Sequence, residues 1–174
     1  MNPPVLASKR LVLRAHAHDD LPDFAAMWAD PQVVRHIGGR PFTAEEVWTR
    51  LLRAAGMWVL LGYGYWVVRE RDGGAFVGEL GFADFRRELD PPFGDAPEAG
   101  WALASAMHGR GYAGEALAAA HAWADAALRR RTVCMITPAN LASIAVARRC
   151  GYRPYAETLY KGAATTLFER PAPA

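Results

Sequence analysis

His108-Gly109-Arg110-Gly111-Tyr112-Ala113-Gly114-Glu115-Ala116 places three glycines within six residues, directly ahead of a run of helix formers. Glycine has no side chain to hold a ligand away from the backbone, and it adopts left-handed conformations at little cost. A helix starting behind such a loop adds unpaired first-turn N–H groups and the positive end of its dipole. The pattern predicts an anion cradle of pyrophosphate type. The backbone N–H groups of Gly109, Gly111, Ala113 and Gly114 are the expected donors, with Arg110 as an added charge. A plain glycine-rich turn before a surface helix shows the same local pattern, and Arg110 reads equally well as an exposed side chain. The flanking sequence therefore has to decide.

Working outward, Glu98-Ala99-Gly100-Trp101-Ala102-Leu103 reads as a strand entering the loop, and residues 114–128 as the helix leaving it, with Leu117, Ala124 and Leu128 on one stripe. Thr132 to Thr137 is a second strand. Asn140, after Pro138, sits where the N-cap of another helix belongs, and Ser143 falls in its first turn. A strand-helix-strand crossover makes the strands at 98–103 and 132–137 parallel. Upstream, Leu11 and Leu13 alternate inward over residues 9–14. His18-Asp19-Asp20-Leu21-Pro22 predicts a helix start with an aspartate cap, and Pro31 limits that helix. Thr43-Ala44-Glu45-Glu46 is a capping box for a helix with Val47, Leu51 and Ala55 inward. Gly62 to Glu70 and Ala75 to Phe82 read as a hairpin turned at Asp72-Gly73-Gly74. A proline-rich loop follows, and Thr165 to Glu169 is the last strand. The order predicts a single α/β domain over residues 1–174, a mixed sheet with helices on both faces.

Bulk properties exclude several classes. The 174 residues are 52% hydrophobic and 22% charged, with a net charge of +2, which argues against nucleic acid as the main partner. No apolar run approaches the roughly 18–20 residues of a membrane span. Met1-Asn2-Pro3-Pro4-Val5 lacks the pattern of a secretory signal. Cys134 and Cys150, the only cysteines, have no metal-type spacing and read as reduced, buried thiols of a cytoplasmic protein. A nucleotide-binding module would use the glycine loop alone, but the Gly-Lys-Ser/Thr signature and the dinucleotide fingerprint are missing.

The succession of strand, glycine loop, helix, strand, Asn140-Leu141-Ala142-Ser143 helix and Gly151-Tyr152 resembles the GNAT acyl-CoA N-acetyltransferases. It is most similar to the branch that includes ribosomal-protein N-terminal acetyltransferases. Ser8-Lys9-Arg10-Leu11-Val12-Leu13-Arg14 and Ala29-Asp30-Pro31-Gln32-Val33 carry the same resemblance, which spans roughly residues 8–170. It implies a mostly antiparallel sheet with one parallel, splayed strand pair, and acetyl-CoA as co-substrate with its pantetheine arm in the split. It also implies backbone contacts to the cofactor from Trp101, Ala102 and Leu103, and from the loop His108, Gly109, Arg110, Gly111, Tyr112, Ala113 and Gly114. Asn140 would contact the arm, and Ser143 would serve as general acid to the thiolate. From the residues alone, Trp101 also reads as a core aromatic, Asn140 as a simple cap and Ser143 as a first-turn serine. His108 departs from the family, which opens this loop with Gln or Arg.

Acetyl transfer to an amine needs a polarised carbonyl, a neutral amine and a stabilised leaving thiolate. Glu98 is the expected base, with Glu79 and His36 as further candidates, and an α-amino acceptor of low pKa needs none. The expected function is transfer from acetyl-CoA to a primary amine, a protein N-terminus or a small molecule, by direct attack. The alternative is a non-catalytic acyl-CoA-binding sensor or partner domain. Cys134 is the residue to examine for a covalent route. The acidic residues Asp84, Glu88, Asp90, Asp95 and Glu98 hint at a cationic acceptor. No metal, nucleic acid or membrane is expected as a partner, and a homodimer is left open.

Overall fold

In the computed structural model, residues 2–173 are described. A two-residue strand, β1 (Leu6–Ala7), pairs with β2 (Leu11–Arg14), where Leu11 and Leu13 are fully buried. Three helices follow: α1 (Leu21–Ala29), the short α2 (Pro31–Val34) and α3 (Ala44–Leu61). The capping box forms as read, with Thr43 Oγ1 accepting from Glu46 N (3.2 Å) and the Glu46 carboxylate accepting from Thr43 N (2.8 Å). The inward stripe of α3 differs from the expectation. Val47, Leu51, Ala54, Met57 and Trp58 are buried and Ala55 is exposed, because the stripe continues three rather than four residues beyond Leu51. Gly62 is not strand: at φ +74° it ends α3 in the left-handed conformation, and β3 starts only at Tyr65.

β3 (Tyr65–Glu70) and β4 (Phe76–Ala83) form the expected hairpin, with Gly73 and Gly74 at positive φ in its turn. β5 (Glu98–Leu103) has the bounds read from sequence. α4 (Tyr112–Ala127) starts two residues earlier than read, since Gly111 at φ +77° is its N-cap. β6 (Thr132–Ile136), α5 (Leu141–Arg149) and a closing hairpin of β7 (Arg153–Tyr160) and β8 (Ala163–Arg170) complete the chain order. One eight-stranded sheet results, ordered β1-β2-β3-β4-β5-β6-β8-β7. Every neighbouring pair is antiparallel except β5 and β6.

Helices cover both faces. Phe24, Trp28, Val33, Val34, Val47 and Leu51 from α1–α3 pack with Ala102 on one side. Ala116, Leu117, Ala120, Ala147 and Ile144 from α4 and α5 pack on Leu13, Leu80, Phe82, Cys134 and Phe168 on the other. The parallel pair is barely joined. Glu98↔Val133 is its one paired register, supported by Val133 N–H donating to Pro97 O (3.0 Å). Beyond that point β5 and β6 diverge, so the splay implied by the resemblance is present.

Asp20 is not the simple cap that its place before α1 indicated. Its side chain makes no cap hydrogen bond to the helix. It is 1% exposed and receives Arg14 through two bonds of 2.7 Å, Arg69 Nη2 at 2.8 Å and Ala17 N at 2.8 Å. Burial alone would raise its carboxyl, but these donors outweigh burial and hold the pKa at about 2. The pair ties β2 and β3 to the start of α1. A depressed carboxylate stabilises the fold above its unfolded pKa and loses that contribution as pH falls through the folded one. Urea denaturation should therefore show about 2 kcal/mol disappearing as pH drops from about 4 to 2. Asp20→Ala, which strands two arginines, should cost about 3 kcal/mol at neutral pH. A variant as stable as wild type at neutral pH would reduce this cluster to surface chemistry.

Candidate active site

The glycine loop follows the C-terminal end of β5, and the Asn140 turn follows the C-terminal end of β6. Both therefore lie at the open end of the splay, where α/β folds place ligands. Gly109 (φ +75°) and Gly111 (φ +77°) are both left-handed, which explains glycine at these positions. No atom lies within 4 Å of where a Cβ would stand on Gly109 or Gly114, so the loop borders open space. Glu115 N–H bonds Gly111 O (3.2 Å), which leaves the N–H groups of Tyr112, Ala113 and Gly114 as the unpaired first turn of α4. The turn is anchored from behind. Glu115 accepts from Ser8 Oγ (2.6 Å), Arg10 N (2.8 Å) and Arg10 Nε (2.7 Å). Burial pushes its carboxyl up, but these donors bring it below the ordinary range.

Not every side chain of the loop points at this space. Tyr112 is buried under the Arg10 guanidinium, and its hydroxyl donates to Glu70 (2.5 Å), so only its backbone remains for a ligand. Arg110 is half-exposed and leans toward Glu70 at 3.7 Å, not over the cradle. His108 Nε2–H donates to Leu103 O (2.9 Å), tying the loop back to β5. Trp101 packs on the α4 side of the core, as its alternative reading held. On β5, β4 pairs one edge along its whole length. The other edge, from Ala99 to Leu103, has no strand partner among the described residues, so the backbone groups of Ala99 and Trp101 and the N–H of Leu103 face the split, while the Ala102 carbonyl points at Gly78 of β4 and is not offered to a ligand there as the resemblance implied.

Across the split, Asn140 Oδ1 accepts from Ser143 N (3.1 Å) and caps α5. Ser143 Oγ and the Asn140 amide nitrogen make no protein hydrogen bond among the described residues. Glu98 lies toward the closed end, and Glu79 toward the open one. Glu98, 6% exposed, is gripped by Arg87 through Nε (2.5 Å) and Nη2 (2.8 Å), while Arg87 Nη1 donates to Tyr160 (2.9 Å). Burial raises the Glu98 pKa despite Arg87. Glu98 and Asp84 line a cavity of about 240 Å³ under the 84–97 loop. Glu79, 2% exposed, stands opposite Ala102, with His16 Nε2 at 3.3 Å and Arg50 Nε at 3.6 Å. His36 lies apart, in the turn after α2, without a hydrogen bond among the described residues.

Two sequence expectations change here. Two of the five acidic residues are matched, Glu98 by Arg87 and Asp84 by Arg86 (2.9 Å), while Glu88, Asp90 and Asp95 are exposed without an ion pair among the described residues. Burial drives the Cys134 thiol well above its ordinary pKa, so it supplies no thiolate for a covalent route. The sequence reading missed Arg87, Tyr160, His16, Arg50 and Tyr65. Their only signal would have been the long-range pairing itself.

Residues 10–153 match the acetyltransferase (GNAT) domain family. The chain belongs to the GNAT acetyltransferases. A Bordetella pertussis structure assigned to the same family is 37% identical, covers 97% of this chain and 99% of its own, and superposes with a TM-score of 0.85. An acetyltransferase from Agrobacterium tumefaciens is 27% identical over 97% and 95%, with a TM-score of 0.83. A ribosomal-protein α-N-acetyltransferase in complex with coenzyme A shares the fold at 19% identity over 97% and 98%, with a TM-score of 0.78. This acetyltransferase moves an acetyl group from acetyl-CoA to an amine. Its residues fit the co-substrate: two left-handed glycines, of which Gly109 borders open space, a free first turn for phosphate oxygens, and an unpaired strand edge for an amide-bearing arm. Among the described residues, no helix is long and apolar enough to cross a membrane, and no group of three metal-ligating side chains occurs.

Gly111→Val puts a β-branched residue at φ +77° on the N-cap of α4, which strains the turn that presents the first-turn N–H groups. The acetyl-CoA Kd should rise at least about tenfold, read by calorimetry on folded protein. Unchanged affinity would remove the loop from the phosphate site.

Proposed function

We propose that the whole chain acts as one catalytic domain in which a neutral primary amine attacks the thioester directly. In this reading Glu98 receives the amine proton and Ser143 hydrogen-bonds the departing sulfur. The splay carries the proposal. It leaves the Ala99–Leu103 edge unpaired, sets the first turns of α4 and α5 on either side of the opening, and puts Glu98 at the closed end. Phosphate binding by Gly109, Gly111, Ala113 and Gly114 holds the co-substrate, backbone of Trp101 and Leu103 aligns the arm, and Asn140 steadies it from the other side. Acetyl-CoA itself supplies the activated acyl carbon.

Glu98 lies three residues along β5 from Trp101, roughly 10 Å by strand rise, so the proton crosses to it through water. Arg87 fixes the carboxylate's orientation. A raised pKa suits a base. Activity appears as Glu98 deprotonates, so the acidic limb of kcat/KM should lie at higher pH than for an ordinary glutamate. Glu98→Gln should remove that limb and lower kcat/KM by roughly 10²–10⁴. Glu79→Gln is the comparison variant: a larger loss there, with Glu98→Gln unaffected, would move the role to Glu79.

Ser143→Ala should lower kcat while leaving acetyl-CoA affinity within a few-fold, as for a group acting on the transition state. An unchanged kcat with chemistry rate-limiting returns Ser143 to the helix start. Thiol release with a panel of amines separates the enzyme from a non-catalytic acyl-CoA binder. The reading carries two further expectations, a cytoplasmic location and a homodimer. An exposed apolar stripe on α3, formed by Trp48, Leu52 and Val59, supports the second. Sedimentation equilibrium checks it.

A further inference from the structure

The α4-side face of β5 is filled by Ala99, Trp101 and Leu103 in the core. An acceptor therefore reaches the strand from the opposite face, that of Glu98, Gly100 and Ala102. Three arginines converge there. Arg87 is used up by Glu98 and Tyr160. Arg50 is held 4.0 Å from the Trp28 ring and 5.1 Å from Phe42, and its buried Nε lies 3.6 Å from Glu79 without a hydrogen-bond partner. Arg53 has no carboxylate partner among the described residues. Its guanidinium lies 4.9 Å from the Phe85 ring centroid, at the exposed edge of a narrow cleft of about 10 Å³ that Arg50, Tyr65 and Glu79 also line.

Three guanidiniums thus face two carboxylates, Glu79 and Glu98, since Asp84 is taken by Arg86. The excess positive charge rests on Arg53. Arg53 is itself solvent-exposed, so its guanidinium is open to a ligand, and the neighbouring Arg50 adds like charge beside it. Tyr65 supplies a neutral donor beside it. Its hydroxyl occupies the space a Cβ on residue 100 would need, so Gly100 lets the phenol lie directly over β5. That hydroxyl has no hydrogen-bond partner among the described residues, and burial keeps it protonated.

We propose that the mouth of this cleft is an anion subsite: Arg53, backed by Arg50 and Tyr65, binds a carboxylate that the acceptor carries close to its reacting amine. The inference rests on the acetyl-transfer reading above and deepens it. Guanidinium recognises carboxylate by charge-assisted, bidentate bonding, which a neutral amide does not reproduce. The carboxylate has two sources, the α-carboxylate of a free amino acid or an acidic side chain next to a peptide N-terminus.

The experiment has a binding arm that needs no turnover. Protein saturated with coenzyme A is titrated by calorimetry with N-acetylglycine against N-acetylglycinamide. A second pair is an acetylated, C-terminally amidated peptide starting Gly-Asp against its Gly-Asn counterpart. In one pair the acid should bind about tenfold tighter than its neutral partner. Arg53→Gln should erase that difference with acetyl-CoA affinity unchanged, and Arg53→Lys should keep part of it. A preference in the first pair identifies a free amino acid, and in the second an acidic peptide terminus. Equal binding within both pairs, or a preference that survives Arg53→Gln, overturns the subsite. A parallel arm measures thiol release from acetyl-CoA with the corresponding free amines. Absence of release from every amine counts against the acetyl-transfer reading, while the binding arm still decides for or against Arg53.

Discussion

A single paired register, Glu98 with Val133, holds the two halves of this sheet together. Everything the enzyme does depends on how short that seam is. Were β5 and β6 paired along their length, the backbone of Ala99 and Trp101 would be consumed by the ladder, and α4 and α5 would close over it. One register keeps the sheet continuous and leaves a strand edge in the interior, where unpaired N–H and C=O groups ordinarily cost free energy. A co-substrate arm rich in amides suits such an edge. The unsatisfied backbone and the ligand explain each other.

The two sides of β5 have been given different tasks. Toward α4 the strand offers apolar side chains and completes the core, which keeps its position rigid. Toward α1–α3 it carries Glu98, Gly100 and Ala102, and the neighbouring strands add Glu79 and Tyr65. Strand alternation alone produces this division. The charged groups on that face are mostly matched: Glu98 by Arg87, Asp84 by Arg86, and Glu79 by Arg50 and His16. Matching keeps buried carboxylates affordable and makes Arg53, unmatched among the described residues, conspicuous.

What could be read from sequence was local. The left-handed glycines, the Thr43–Glu46 box, the Asp72-Gly73-Gly74 hairpin and the Asn140 cap each depend on residues within a few positions of one another. The crossover between β5 and β6 followed from connection rules. What escaped was set by tertiary partners. Asp20 looked like a cap because the arginines that claim it come from other strands. Ala55 and Ala54 are chemically identical, and only the tilt of α3 on the sheet chooses between them. Arg87 lies in an irregular loop, and nothing near it in sequence announces that it will meet Glu98 and Tyr160. The fit of the Tyr65 hydroxyl over Gly100 is a matter of register between non-adjacent strands. The roles of Ser143 and Glu98 belong to chemistry that neither periodicity nor packing reports.

The strand order holds one more consequence. β8 follows every other strand in the chain, yet it lies inside the sheet, between β6 and β7. On a ribosome, β6 therefore emerges with one edge bare and the other barely seamed to β5. It must wait for some thirty further residues before its main partner exists. During synthesis the cofactor half of the sheet is held by helix packing more than by strand pairing, so β6 is the segment most exposed to mispairing with another nascent chain. Asp125 on α4 clasps Arg170 at the end of β8 through bonds of 2.6 and 2.7 Å, which locks this late strand once it arrives.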